Sequence, residues 1–267
     1  MAHLPVTLTI AGIDSGGGAG ATADLKVFEA SGVWGTLAVT AVTAQNTLGL
    51  HAIEEVSAEL VRVQIGSVAS DLGVDAAKTG MLVSAEMVEA VAEAVGDFGV
   101  GPLVIDPIVA SSSGTRLLSR DGVAVLRNRL LPLAAVVTPN VAEAAALTGR
   151  EVASRPQMAD AARALVDLGA AVAMVTGGHL PDETSSPDCL VVAGEAPVWL
   201  EGSRLATPHT HGTGCALSAA ICAELARGME AADACVAAKH FVEGAITAGI
   251  DLGSGPGSVD PGWQHRG

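Results

Sequence analysis

The sequence has 267 residues, enough for one large α/β domain and too few to suggest a second independent one. Its formal charge is −15, from 14 Lys plus Arg against 29 Asp plus Glu, which argues against nucleic acid or an anionic membrane surface as partner. Aromatic residues make up only 2%, a composition that suits helices packed closely on a parallel sheet rather than a base-stacking surface.

The four cysteines, Cys189, Cys215, Cys222 and Cys235, form no C-x-x-C pair and follow no secretory signal. Neither a zinc site nor a disulfide framework is indicated, and a reducing cytoplasm is the expected compartment. No stretch approaches the length of a membrane span.

In chain order, Val6 to Ala11 reads as a buried strand, followed by the glycine loop Gly12-Ile13-Asp14-Ser15-Gly16-Gly17-Gly18-Ala19-Gly20 and a helix from Ala21 to Ala30. The pattern Gly16-x-Gly18-x-x-Ala21 superficially matches a dinucleotide fingerprint. The next strand, Thr36 to Val42, ends in Thr43-Ala44-Gln45-Asn46 with no acidic residue for a ribose hydroxyl, which disfavours a nicotinamide cofactor. Asp24, one turn into the helix, either hydrogen-bonds a substrate across the loop or is a charge favourable to the helix dipole.

Helix and strand then alternate: a helix over 59–72, a strand at Ala76-Ala77-Lys78 leading into Thr79-Gly80-Met81, a helix over 86–98, and a strand at Leu103-Val104-Ile105 closed by Asp106-Pro107. Open α/β sheets bind ligands at the carboxyl ends of their strands, so Asp106 is a candidate site carboxylate, with turn chemistry before proline as the bland alternative. The polar run Ser111 to Thr115 suits a lid, a phosphate loop or an ordinary surface loop.

After the strand Ala134 to Val137, Asn140 and Glu143 form a capping-box pattern that needs no ligand. Glu143 could at the same time face phosphates and hold water on Mg²⁺. A helix over 158–168 and a strand over 171–175 lead to Thr176-Gly177-Gly178-His179, and a polar loop over 181–187 precedes a hairpin of Cys189 to Val192 with Val198 to Leu200.

The stretch around which the chain is organised follows: Pro208-His209-Thr210-His211-Gly212-Thr213-Gly214-Cys215 runs straight into a helix in which Leu217, Ile221 and Leu225 mark a buried face and Gly228 ends it. Free amides of the first turn, unobstructed at Gly212 and Gly214, can hold an anion. The helix dipole favours a Cys215 thiolate there, and a base beside an anion hole suggests phosphoryl or acyl transfer; the bland reading is a tight turn beside a small buried cysteine. A long helix over 231–250 carries Lys239, and the tail over 253–267 reads as flexible. The expected architecture is one doubly wound domain over 1–252.

These motifs together resemble the hydroxymethylpyrimidine/phosphomethylpyrimidine kinases of the ribokinase-like superfamily. The carriers span nearly the whole chain: the glycine loop from Ala11 to Gly20, Ala23 to Lys26, Thr43 to Thr47, Lys78 to Leu82, Asp106-Pro107, Thr138-Pro139-Asn140 with Glu143, Gly177 to Leu180, and Thr210 to Cys215. The resemblance implies a pocket in which Gln45 hydrogen-bonds an aminopyrimidine and Gly12, Asp24 and Met81 line the walls. It implies a catalytic base at Cys215, an anion hole from the Gly212, Thr213 and Gly214 amides, and a Mg²⁺ and phosphate region at Asp106, Asn140 and Glu143. Thr176, Gly178, His179 and Lys239 would lie near the ATP nucleotide, and a homodimer is implied.

Three positions depart from the family pattern: Thr22, where Gln is common; His209, where Asn often stands; and Thr176, where Lys is common. A pyridoxal kinase of the same branch is the nearest alternative, disfavoured because Ala110-Ser111-Ser112 lacks the lid cysteine of the dual-cysteine pyridoxal kinases. A non-catalytic binding protein is the alternative from another class; the intact Gly214, Cys215 and Glu143 speak against it.

Overall fold

The computed structural model describes residues 3–111, 114–180 and 184–266. The first strand, β1 (Val6–Asp14), is buried almost throughout, its Thr7 and Thr9 included, as expected of a strand covered on both faces. The glycine loop carries it into helix α1 (Gly20–Ala30), and β2 (Trp34–Asn46) returns parallel beside β1. Strand β2 runs farther than its apolar pattern suggests. Residues Thr43 to Asn46, expected as a strand end, pair antiparallel with β3 (Gly49–Glu55). That edge strand is mostly exposed and has no amphipathic alternation, so periodicity could not reveal it.

Helix α2 (Ala58–Asp71), β4 (Ala76–Thr79), α3 (Ala85–Asp97) and β5 (Leu103–Ile105) follow, each within a residue or two of expectation. The short α4 (Arg120–Val125) continues through a π turn at Leu126–Leu130 into β6 (Ala134–Val137). Next come α5 (Val141–Thr148), α6 (Arg155–Asp167), β7 (Val172–Thr176), and the antiparallel β8 (Asp188–Val192) and β9 (Val198–Leu200). Helices α7 (Thr213–Ala226) and α8 (Ala231–Thr247) complete the layers.

The nine strands form one sheet in the order β3-β2-β1-β4-β5-β6-β7-β8-β9. It is parallel from β2 to β7, with antiparallel strands at both edges. One apolar cluster fills the face covered by α2, α3, α5 and α6, and a second fills the face under α1, α7 and α8. The chain moves one way from β1 to β2 and the other way from β1 to β4, so the sheet reverses direction beside β1, where doubly wound folds open a crevice.

Helix α7 differs from its expected single buried face. It is buried nearly all round, because it lies between the sheet and its neighbours α1 and α8, and its Ala216, Ser218, Ala219, Ala220 and Ala223 are small enough to allow that approach.

Within residues 253–266, expected as a flexible tail, the stretch 257–263 is packed, with exposed residues on either side. Val259 is 2% exposed, Asp260 donates its amide to the Ala245 carbonyl at 2.9 Å, and Trp263 lies against Phe241 and over Gly244. The glycines that helped suggest disorder instead permit close backbone approach.

Candidate active site

The carboxyl ends of β1, β4, β5, β6 and β7 lie along one rim of the sheet, and α7 starts over it. Gly212 is the N-cap of α7 at φ 85°, and a Cβ there would run into the Gly18 carbonyl oxygen. Only glycine combines this left-handed backbone with this contact. The turn and the glycine loop therefore form one unit.

The Thr213 amide is used within the turn, donating to the Thr210 carbonyl at 3.3 Å. The Gly214 and Cys215 amides have no protein acceptor among the described residues. Of the expected Gly212-Thr213-Gly214 set, only Thr213 is thus engaged within the turn; the Gly212 amide, like that of Gly214, has no protein acceptor among the described residues, and sequence reasoning missed the Cys215 amide. These amides sit at the positive end of the fourteen-residue helix α7. Gly214 stands over Asp106, where a Cβ would lie 3.9 Å from Oδ2.

Asp106 is 5% exposed at the end of β5 and accepts a hydrogen bond from Ser218 Oγ at 3.2 Å. Glu143 is 8% exposed, and its Oε2 accepts the Asn140 amide at 3.0 Å. Burial first, and repulsion from Asp106 second, push the Glu143 carboxyl up; burial and the nearby Asp24 do the same to Asp106 against the attraction of Lys78. Two buried carboxylates facing one region are destabilised until a cation or protons arrive. Asn140 does not complete this pair as a ligand. Its Oδ1 accepts the Ala142 and Glu143 amides at 2.9 and 3.0 Å, so it caps α5, which confirms the capping box.

The Cys215 thiol is 8% exposed, and burial pushes its pKa up to about 12 against the opposing pull of Lys78 and the Gly20 amide. Desolvation and the negative charges of Asp106 and Asp24 thus oppose the thiolate expected from the helix dipole.

Asp24 is also corrected. It is 0% exposed, its Oδ1 and Oδ2 each accept from Lys78 Nζ at 3.1 Å, and Oδ2 accepts the Thr9 hydroxyl at 2.6 Å. Burial pushes the Asp24 carboxyl up against the pull of Lys78 and Thr9, while Asp24, Cys215 and Asp106 hold Lys78 above its ordinary value against burial; the two directions disagree about where the proton sits. The symmetric geometry and the Thr9 bond favour the charged pair. Asp24 therefore holds Lys78 in place beneath the site and does not reach a substrate.

At the other end of the rim, Gly12 and Met81 meet, since a Cβ on Gly12 would strike the Met81 methyl. The half-buried Gln45 lies with Nε2 3.5 Å from His211 Nε2, which is itself 3.2 Å from Asp14 Oδ2. Asp14 also accepts the amides of Gly16, Gly18 and Ala19. Burial would raise its carboxyl, but His211 and the Gly16 and Ala19 amides hold it below the usual value. Asp14 and His211 were missed as site residues, although both stand inside quoted motifs. Thr22, the unusual residue of α1, closes the loop by donating to the Asp14 carbonyl at 3.0 Å.

Gly178 and His179 are exposed after β7, and Thr176 is half-buried, its amide donating to the Pro139 carbonyl at 2.9 Å. Lys239 comes to this corner but is engaged by protein. It is 7% exposed, and Nζ donates to Asp188 Oδ2 at 2.7 Å and to the Ser186 carbonyl at 3.1 Å. Asp188 in turn accepts the Gly177 amide at 3.0 Å, so Lys239 orders the glycine turn rather than offering a free ammonium. In the 111–115 run, Ser112 and Ser113 lie outside the described residues, as do 181–183 of the later loop.

A doubly wound sheet whose strand ends gather a free helix start, two buried carboxylates and a glycine loop defines a ribokinase-like small-molecule kinase. Hydroxymethylpyrimidine/phosphomethylpyrimidine kinase of Streptomyces coelicolor is 47% identical over 259 residues, covering 97% of this chain and 95% of that protein. The thiamine biosynthetic bifunctional enzyme of Arabidopsis thaliana is 43% identical over 97% of this chain and 49% of its own length. A Bacillus subtilis pyridoxal kinase in complex with ADP superposes with a TM-score of 0.91 at 36% identity, over 98% of this chain and 99% of that one. The family model described as phosphomethylpyrimidine kinase matches residues 14–260, and the chain belongs to that family. Among the described residues no helix is long and apolar enough to cross a membrane.

Proposed function

We propose that the protein transfers the γ-phosphoryl group of ATP to 4-amino-5-hydroxymethyl-2-methylpyrimidine, and then to its monophosphate, giving the diphosphate used in thiamine biosynthesis. The observation that carries this reading is the pair of unpaired amides at Gly214 and Cys215 beside the carboxylates of Asp106 and Glu143. Donors for phosphoryl oxygens and acceptors for a cation are thereby set side by side.

Gln45 presents an amide to the aminopyrimidine edge, with Gly12 and Met81 forming the adjoining wall. The Gly214 and Cys215 amides bind the transferring phosphoryl group and stabilise the charge on its oxygens. Cys215 stands next to them and orients the acceptor. Thr176, Gly178 and His179 line the nucleotide end.

Asp106 and Glu143 fit Mg²⁺, which binds through one or two carboxylates and keeps waters and phosphate ligands; no group of three or more His, Cys, Asp or Glu suited to a metal occurs among the described residues. The bound ion would supply neutralisation of phosphate charge. The exposed apolar side chains Val42, Leu48 and Ile53 near the β3 edge support a homodimer, measurable by light scattering, and the reading includes a cytoplasmic enzyme.

The test is incubation of the protein with Mg·ATP and, separately, hydroxymethylpyrimidine, its monophosphate and pyridoxal, with ADP measured and products identified by mass. Diphosphate from the monophosphate is the expected result. The likeness to pyridoxal kinase structures is what favours the second reading, and turnover of pyridoxal alone would reassign the substrate.

A further inference from the structure

Residues 250–260 leave α8 and cross the site instead of trailing into solvent. At one end the strap meets the tip between β2 and β3. The Gly255 amide donates to Thr47 Oγ1 at 3.2 Å, and a Cβ on Gly255 would strike the Thr47 carbonyl. Gln45 is two residues from that contact. At the other end the strap joins the turn before α7: the His211 amide donates to the Gly257 carbonyl at 3.2 Å, and the Val259 amide donates to the His211 carbonyl at 3.1 Å. Gly212 follows directly.

The middle is filled equally closely. Ser258 and the His211 ring occupy the space that a Cβ on Gly18 would need. A Cβ on Gly257 would strike the Ile250 carbonyl and the imidazole of His209, whose Nδ1 is buried without a hydrogen-bond partner among the described residues. His209 is one of the departures from the family pattern, and the space for its ring is provided by Gly257, while Gly249 lies against its Cβ and carbonyl. The strap is fixed to α8 by the Asp260 amide on the Ala245 carbonyl at 2.9 Å.

We propose that the 250–260 strap is a positioning element for phosphoryl transfer: it sets the spacing between the Gln45 arm that holds the acceptor and the Gly212–Cys215 turn that holds the phosphoryl group. Neither end touches a reacting atom. The strap acts through Thr47 and His211, and it rests on the functional reading above. Positioning of two reactants is steeply distance-dependent, so a small relative shift lowers transfer without weakening either binding step.

The experiment compares wild type, Thr47→Val, Thr47→Ser and Gly257→Ala in the full chain, with thermal unfolding, kcat, KM for each substrate, and the ratio of ADP formed to phosphorylated product. Thr47→Val removes the acceptor of the Gly255 amide with little change of shape, and Thr47→Ser retains it. We expect Thr47→Val and Gly257→Ala to lower kcat tenfold or more, with each KM within about twofold, and to form ADP in excess of product as water replaces a misplaced acceptor. Thr47→Ser should match wild type. Should Gly257→Ala fail to fold, the Thr47 pair decides alone. Unchanged kcat and product ratio in Thr47→Val, or a loss no greater than the drop in folded fraction, overturns the strap's role. A wild type inactive on every substrate would overturn the functional reading instead.

Discussion

Cys215 offers the sharpest test of the chemistry. With its thiol pushed up to about 12, only about one molecule in 10⁵ carries a thiolate at pH 7, and forming it costs about 7 kcal/mol. A kinase turning over at about 10 s⁻¹ has a total barrier of about 16 kcal/mol, so prior deprotonation would consume nearly half. A loose transition state keeps the acceptor hydroxyl protonated until bonding is advanced, and a phosphoryl oxygen can take that proton. Cys215 then contributes mainly by orientation. Cys215→Ser should cost less than about a hundredfold in kcat, whereas Gly214→Val, which places methyls among the free amides beside Asp106, should cost about 10² to 10³. The assay is kcat with saturating substrates from pH 6.5 to 9.5, and a nearly flat profile is expected once Mg²⁺ saturates. A tenfold rise per pH unit, abolished by Cys215→Ala, would show that the thiolate is the reacting base and refute this reasoning.

Three further outcomes are expected. Asp24→Asn leaves the Lys78 ammonium buried without its carboxylate and should destabilise the protein by about 3–5 kcal/mol in denaturant unfolding; a loss below 1 kcal/mol would mean that Lys78 finds another partner. Asp106 and Glu143 are held above the ordinary carboxylate range, so the folded state retains protons that the unfolded state has lost. Their contribution to stability therefore falls as pH rises above about 4.5, and Mg²⁺ should restore it with proton release; calorimetric titration in buffers of different ionisation enthalpy checks this, and binding without proton release would contradict it. Asp188→Ala frees the Gly177 amide and Lys239 together, and should raise the KM for ATP while leaving the KM for the pyrimidine unchanged in steady-state kinetics.

Much of this was legible in the sequence because strand ends and glycine turns write their chemistry locally. The start of α7 at Thr213 and the capping box at Asn140 and Glu143 follow from residue types a few positions apart. What was not legible depends on distant partners. Asp24 looked available until Lys78, 54 residues on, closed both of its oxygens. Lys239 was expected near the nucleotide, and its engagement by Asp188, 51 residues away, could not be read from its own helix. The Cys215 thiolate rested on the dipole of its own helix, and the desolvation that opposes it comes from the whole surrounding fold. The 253–260 segment misled for a related reason: glycine and proline signal disorder by composition, yet the glycines let the backbone lie close on Thr47 and His211.

The burial of α7 on nearly every side has a kinetic consequence. A helix wedged among alanines cannot slide or rotate without opening voids against the sheet and both flanking helices. The donors at its start are therefore a stationary wall, and each cycle of substrate entry and product escape has to be carried by the loops that face it. Turnover limited by product release would then respond to solvent viscosity and to changes in those loops, while substitutions along the middle of α7 would register as lost stability.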